Sequence, residues 1–175
     1  MANCAPLGAQ NLVPNPSFEE YSFQPAFMSK SGKDFRRASK YWTVPNEAST
    51  DLINPRFNSK NLSTIPPRSG ENMAGIVING DYWAEYTCVK LKRPLEIGRE
   101  YYVEYWMSMP TYYSKRKPIP TLLNDHFGVL FDKQLYQANK RILKNTPQVV
   151  ANNEVLVEPR RWIKLFGSFT ATEEA

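Results

Sequence analysis

Apolar and polar positions alternate most strictly over 101–109. Tyr101, Val103, Tyr105, Met107 and Met109 fall on one side of an extended chain, and Tyr102, Glu104, Trp106 and Ser108 on the other. Side chains two apart share a face of a strand, so the segment 96–110 is predicted to carry a β-strand. Phe127, Val129 and Phe131 alternate in the same way with His126, Gly128 and Leu130. "YWTVP" (41–45), "ENMAGIVIN" (71–79), "YWAEYTCVKLKRPL" (82–95) and "RRWIKLFGSFTAT" (160–172) read as further strands, and 145–159 as two short ones about Asn152-Asn153. Turn chemistry separates them: Asn79-Gly80-Asp81 ends one run, Pro94 ends another, and Gly98 predicts a hairpin joining 82–95 to 96–110. Helical spacing shows only in 133–145, through Leu135, Ala138 and Ile142.

Three long stretches, 22–40, 49–70 and 111–125, keep neither period and read as loops rich in Ser, Asn, Pro and charge. The opening "NLVPNPSFEEY" (11–21) holds Pro14 and Pro16, each without a backbone donor, which excludes helix and a central strand. It is predicted as an extended, turn-broken edge strand anchored to the core by Phe18. Short strands at fairly even spacing with at most one short helix indicate an all-β fold, an antiparallel β-sandwich with long rim loops.

Composition supports this class. Of 175 residues 42% are hydrophobic and 13% aromatic, too apolar for a disordered chain and enough for one hydrophobic core. Fourteen prolines outnumber eight glycines, as elaborate loops require. No apolar run approaches the ~18 residues that cross a bilayer, so no membrane span is expected. The net charge of +5 is scattered in short groups (Arg36-Arg37, Lys90 to Arg93, Lys115 to Lys117, Arg160-Arg161), which describes a solvated surface and no nucleic-acid track. An acidic partner remains open: anionic glycan, lipid headgroup or acidic protein face.

Residues 1–10, "MANCAPLGAQ", lack the apolar stretch of about 7–15 residues that a secretory leader needs. "LGAQ" nevertheless resembles the end of one, with Ala9 at the cleavage point. The segment reads as a leader remnant or a tail, and residues 11–175 as the single domain of an exported protein. Cys4 lies in that remnant and Cys88 in a strand, so no bridge between them is expected. With one histidine, His126, and no CxxC, the usual zinc sites and Ser-His or Cys-His nucleophiles are not expected.

Loop aromatics are the leading candidates for function. Sugars stack the apolar face of the pyranose on aromatic rings, with polar groups around them. Tyr82 and Trp83 follow the Asn-Gly-Asp turn, and Tyr112 and Tyr113 share a loop with Lys115 and Arg116. The alternative for Tyr82 and Trp83 is that they seal a sheet edge. Trp42, Trp106 and Trp162 lie within strands and are expected in the core. Asp81, Glu85 and Glu104 are the carboxylates from which a glycosidase pair would have to come, and no spacing singles out two of them.

In order along the chain, "NLVPNPSFEEY", "YWTVPNEASTDLIN", "AGIVI…YWAEYTCVKLKRPLEIGREYYVEYWMSM", "FGVLF" and "RRWIKLFGSFTAT" resemble a cell-envelope domain common in Bacteroidetes. That domain often precedes an OmpA-type peptidoglycan-binding domain or sits in a surface or secretion-linked protein. The opening motif is also similar to the start of carbohydrate-binding modules with a galactose-binding-like jelly roll. The resemblance implies a jelly-roll topology, a place in the periplasm or at the outer-membrane surface, and a structural calcium for which Glu19 is the matching ligand, with no other cofactor. In the related domains one more apolar strand follows "GSFTA", whereas here "TEEA" follows. The expectation is therefore a domain without its final strand, from a longer protein.

These readings converge on a non-catalytic binding module of the cell envelope that recognises glycan through Tyr82, Trp83, Tyr112, Tyr113, Lys115 and Arg116. The alternative is a protein-docking or scaffolding module of an outer-membrane or secretion-linked assembly.

Overall fold

The computed structural model describes residues 10–58, 62–63, 65–79, 83–114, 117–119, 127–133, 143, 145–150 and 160–173. Helix α1 (Gly32–Ala38) comes first, then β1 (Trp42–Thr43), β2 (Asp51–Ile53), β3 (Leu62–Ser63), β4 (Met73–Gly75), β5 (Ile78–Asn79) and β6 (Trp83–Ala84). They are followed by β7 (Cys88–Val89), β8 (Glu100–Met107), β9 (Thr111–Ser114), β10 (Lys117–Ile119), β11 (Gly128–Val129), β12 (Val149–Val150) and β13 (Ile163–Thr170). The described chain is mostly strands with one short helix, as the alternating pattern predicted. The ladders are antiparallel: β1 with β7, β2 with β4, β5 with β6, β11 with β12, β8 with β13, and a three-stranded sheet in the order β10, β9, β3. No helix among the described residues is long and apolar enough to cross a membrane.

The helix lies inside a stretch that reads as loop. Its apolar signal is only Phe35 and Ala38, spaced to fall on one face, and both are fully buried. The start is set by Asp34, whose carboxylate accepts the backbone N–H groups of Lys30 (2.8 Å) and Ser31 (3.3 Å). The Ser31 N–H, at the N-cap, is one of the donors that the helix itself leaves without a partner. Gly32 faces Val44 and the carbonyls of Asn46 and Ala48 so closely that a Cβ there would overlap Val44 Cγ2. Phe35 and Ala38 meet Val44 and Leu52, with Phe18, Trp42 and Ala74 packed around them. Burying Phe35 contributes about 1.5–3 kcal/mol. The helix expected at 133–145 falls almost wholly outside the described residues.

The opening segment is a set of turns and no edge strand; its one bridge is Tyr21 with Ser39. Asn15 explains the difference. Its side-chain amide donates to the carbonyls of Glu20 (2.8 Å) and Lys40 (3.0 Å), and its Oδ1 accepts Glu20 N–H (2.9 Å). Its own carbonyl accepts the Trp42 indole N–H at 2.7 Å and Phe18 N–H at 3.2 Å. The chain curls around this one buried amide, and Phe18 lands on Trp42 with ring centres 4.7 Å apart.

The hairpin expected around Gly98 does not form. Gly98 does turn the chain, at φ +81°, but its N–H donates to Ala171 and Ala171 N–H to Arg99. The turn thus delivers β8 to β13, while β7 pairs back to β1. Residues 111–119, predicted as loop, instead supply β9 and β10, paired Lys117 to Ser114 through Ile119 to Tyr112.

β8 and β13 form the longest ladder, in register from Ile163 opposite Met107 to Thr170 opposite Glu100. One face carries Tyr101, Val103, Tyr105 and Met107 with Ile163, Leu165, Gly167 and Phe169. Phe131 stacks on Phe169 at 4.6 Å, Tyr105 donates its hydroxyl to the Phe127 carbonyl, and Gly167 leaves room for the Val149 side chain. Gln148 grips Phe131 by both its N–H (2.8 Å) and its carbonyl (2.9 Å). The segments at 127–131 and 147–150 therefore cover this inner face, leaving Val103, Phe127, Val129 and Phe131 half-buried.

Candidate functional site

Of the six residues expected to meet a ligand, Tyr82, Lys115 and Arg116 lie outside the described residues. Tyr112 and Tyr113 sit on β9 and not in an open loop, with side chains outside the description. Trp83 is half-buried on β6, and its indole N–H donates to Glu85 Oε1 at 3.3 Å. Asp81 and His126 also lie outside the described residues.

Glu19 clamps a turn. Its Oε1 accepts the N–H groups of Glu71 (3.1 Å) and Asn72 (2.9 Å), and its Oε2 accepts Asn72 Nδ2 (3.0 Å). Gly70, at φ +63°, lies against this carboxylate so closely that a Cβ would overlap it. Three N–H donors converging on one carboxylate stabilise an anion and oppose a cation in the same place. No group of three or more His, Cys, Asp or Glu within reach of a shared metal occurs among the described residues. The surroundings of Glu19 do not fit calcium, which calls for about six to eight oxygens.

Glu85 and Asp51 are carboxylates of the interior, 2% and 4% exposed. Glu85 accepts Ser49 Oγ (2.8 Å), Trp83 Nε1 and Val77 N–H (2.8 Å), which braces β5 against the chain after β6. Asp51 accepts Ser29 N–H at 2.6 Å. Burial pushes its carboxyl up to about 6, and the nearby charges of Glu85 and Asp34 add to the rise. The two hold segments of backbone together. Cys88, on β7, has its thiol pushed up to about 11 by burial, which leaves little thiolate at neutral pH.

The outer face of β8 and β13 is different in kind. The register sets Tyr102 opposite Ser168, Glu104 opposite Phe166, and Trp106 opposite Lys164, all on the side away from Leu165. Tyr102 is 57% exposed and Phe166 61%, with their rings 6.1 Å apart. Lys164 Nζ lies 2.6 Å from Glu104 Oε2 and 5.6–5.8 Å from the centres of both rings. The hydrogen bond from Lys164 lowers the Glu104 carboxyl and raises the Lys164 ammonium. At the far end the Arg68 guanidinium lies over the Trp106 ring at 3.9 Å. The segment bearing Arg68 is fastened there by Trp162 Nε1, which donates to the Pro66 carbonyl at 3.0 Å.

Two aromatic rings open to solvent, a charged pair between them and a guanidinium on an indole thus make one continuous surface on a regular ladder. Such rings offer flat apolar area, and the charges offer donors and acceptors beside it. Sequence reasoning placed Trp106 and Trp162 in the core. The alternation of 101–109 already set Tyr102, Glu104 and Trp106 together on the polar side. Nothing local announced that β13 would add Lys164 and Phe166, because that depends on a pairing about 60 residues away in sequence.

Comparison with protein-family models, with curated proteins and with solved structures gave no match to this chain.

Proposed function

We propose that this chain is a non-catalytic binding module of a bacterial cell-envelope protein and that it recognises glycan on the outer face of β8 and β13. The observation that carries the reading is the pair of exposed rings, Tyr102 and Phe166, flanking the Lys164–Glu104 ion pair. Exposed rings on a rigid ladder present a surface with little left to order when a pyranose stacks on it. The ion pair supplies a donor and an acceptor for hydroxyl groups. In this reading the short ladders belong to a jelly-roll sandwich of an exported protein, and the face lies on one of its sheets. A catalytic role finds no support in the carboxylates: Glu85 is buried among its donors, and Glu104 is tied to Lys164.

The test is affinity electrophoresis through gels holding peptidoglycan fragments or soluble polysaccharide. Tyr102→Ala combined with Phe166→Ala is expected to weaken retention by roughly 10- to 100-fold. The melting temperature should stay within a few degrees, because both rings are more than half exposed. Unchanged retention would remove this face from the site.

Protein docking has its own supporting observation in Phe23, Phe27 and Met28, all exposed within six residues of chain. If Phe23→Ser with Phe27→Ser abolished a stoichiometric envelope complex while polysaccharide gels retained nothing, docking would replace the glycan reading.

A further inference from the structure

Resting on that reading, we infer that the sugar taken by the β8–β13 face carries a carboxylate, and that Arg68 is the residue that reads it. The charges on this face are unequal in their commitments. Lys164 and Glu104 already neutralise each other at 2.6 Å. The Arg68 guanidinium is centred over Trp106 at 3.9 Å; its charge adds weakly to the lowering of the Glu104 carboxyl, after that of Lys164, and among the described residues it forms no ion pair or hydrogen bond. A guanidinium held over an indole without hydrogen bonds of its own keeps its N–H donors for a planar two-oxygen acceptor. The net positive charge of the surface therefore sits at one place, beside the rings that stack the sugar.

Arg68 is also positioned ahead of any ligand. On one side Pro66 is held by the Trp162 indole. On the other, Glu71 and Asn72 are held by the Glu19 carboxylate, with Gly70 supplying the left-handed turn between. Fastened at both ends, this short segment loses little freedom when the guanidinium binds an anion. Glu19 thus acts at a distance, as the positioning residue for Arg68.

Binding to polygalacturonate and to hyaluronan, each beside its carboxyl-reduced neutral product, tests the inference by affinity electrophoresis. The wild type is expected to bind the acidic polymers about 10-fold more tightly than the reduced ones. Arg68→Gln should erase that preference while still binding the neutral polymers, and Tyr102→Ala with Phe166→Ala should lose both. Arg68→Lys, which keeps the charge without the fork, should restore less than half of the preference on a logarithmic scale. Equal wild-type binding to acidic and reduced polymers would overturn the inference and leave the glycan reading standing. Full preference retained by Arg68→Gln or Arg68→Lys would overturn it as well, assigning the effect to general positive charge. Binding to none of the four polymers would count against both.

Discussion

Asn15→Ala is expected to cost about 3–5 kcal/mol of stability, the largest single loss outside the helix-centred core. The side chain is 7% exposed and makes three hydrogen bonds, to the carbonyls of Glu20 and Lys40 and from Glu20 N–H. Truncation takes this partner from the Lys40 carbonyl and the Glu20 N–H, each orphan costing about 1–3 kcal/mol and less where the loop relaxes, while the Glu20 carbonyl keeps the Lys40 N–H at 3.0 Å. Alanine at φ +45° adds about 1 kcal/mol more, because it lacks the short polar side chain with which asparagine offsets Cβ crowding in the left-handed region. At roughly 2–4 °C per kcal/mol for a chain of this size, melting should fall by about 6–20 °C. Asn15→Gly separates the two causes, since it relieves the φ strain but restores no hydrogen bond. It should recover only about 1 kcal/mol. A loss below about 1 kcal/mol in Asn15→Ala would show that the opening turns are not held in this way.

The second large effect is a pH dependence carried by Asp51. Its carboxyl is raised from 3.8 to about 6, chiefly by burial, with Glu85 and Asp34 contributing and the Ser29 hydrogen bond opposing. Between those two values the folded chain holds a proton that the unfolded chain has released. Stability therefore falls as pH rises through the window from about 4 to 6, and the ionised buried carboxylate costs about 2 to 3 kcal/mol at pH 7. Asp51→Asn keeps an oxygen for Ser29 N–H and removes the ionisation. The variant should gain on the wild type by about 2 to 3 kcal/mol between pH 4 and pH 7, as read from paired urea denaturation curves. Titrating groups that do not couple to Asp51 cancel in that difference. A stability difference independent of pH over this range would mean that Asp51 ionises as freely when folded as when unfolded.

The strands with strict alternation were legible because one face is steadily more buried than the other along β8 and β13. The polar side of 101–109 was legible too, and it proved to be half of the candidate surface. What local pattern missed were features set by a few polar side chains acting across the chain. Helix α1 has only two buried hydrophobic side chains, Phe35 and Ala38, and owes its start to Asp34. The curl at 11–21 depends on where the Asn15 amide finds Lys40, a carbonyl 25 residues away. The resemblance to carbohydrate-binding modules pointed to Glu19 as a calcium ligand, whereas its partners are the N–H groups of Glu71 and Asn72. The hairpin at Gly98 failed for a related reason: a turn fixes where the chain reverses, and the partner strand is chosen by which apolar faces can be buried together. β13 brings buried Leu165 and half-buried Phe169 to the inner face, and two-residue β7 has no comparable stripe.

Whether the outer face of β8 and β13 is the ligand surface is answered most directly by following backbone amide resonances as oligogalacturonate or its carboxyl-reduced form is added. The expected result is a set of shifts concentrated at 102–106 and 164–166, joined by Arg68 with the acidic sugar alone. Shifts confined to 111–119 and 83–84, with 102–106 and 164–166 unmoved, would contradict it and return the site to the segments first singled out in the sequence.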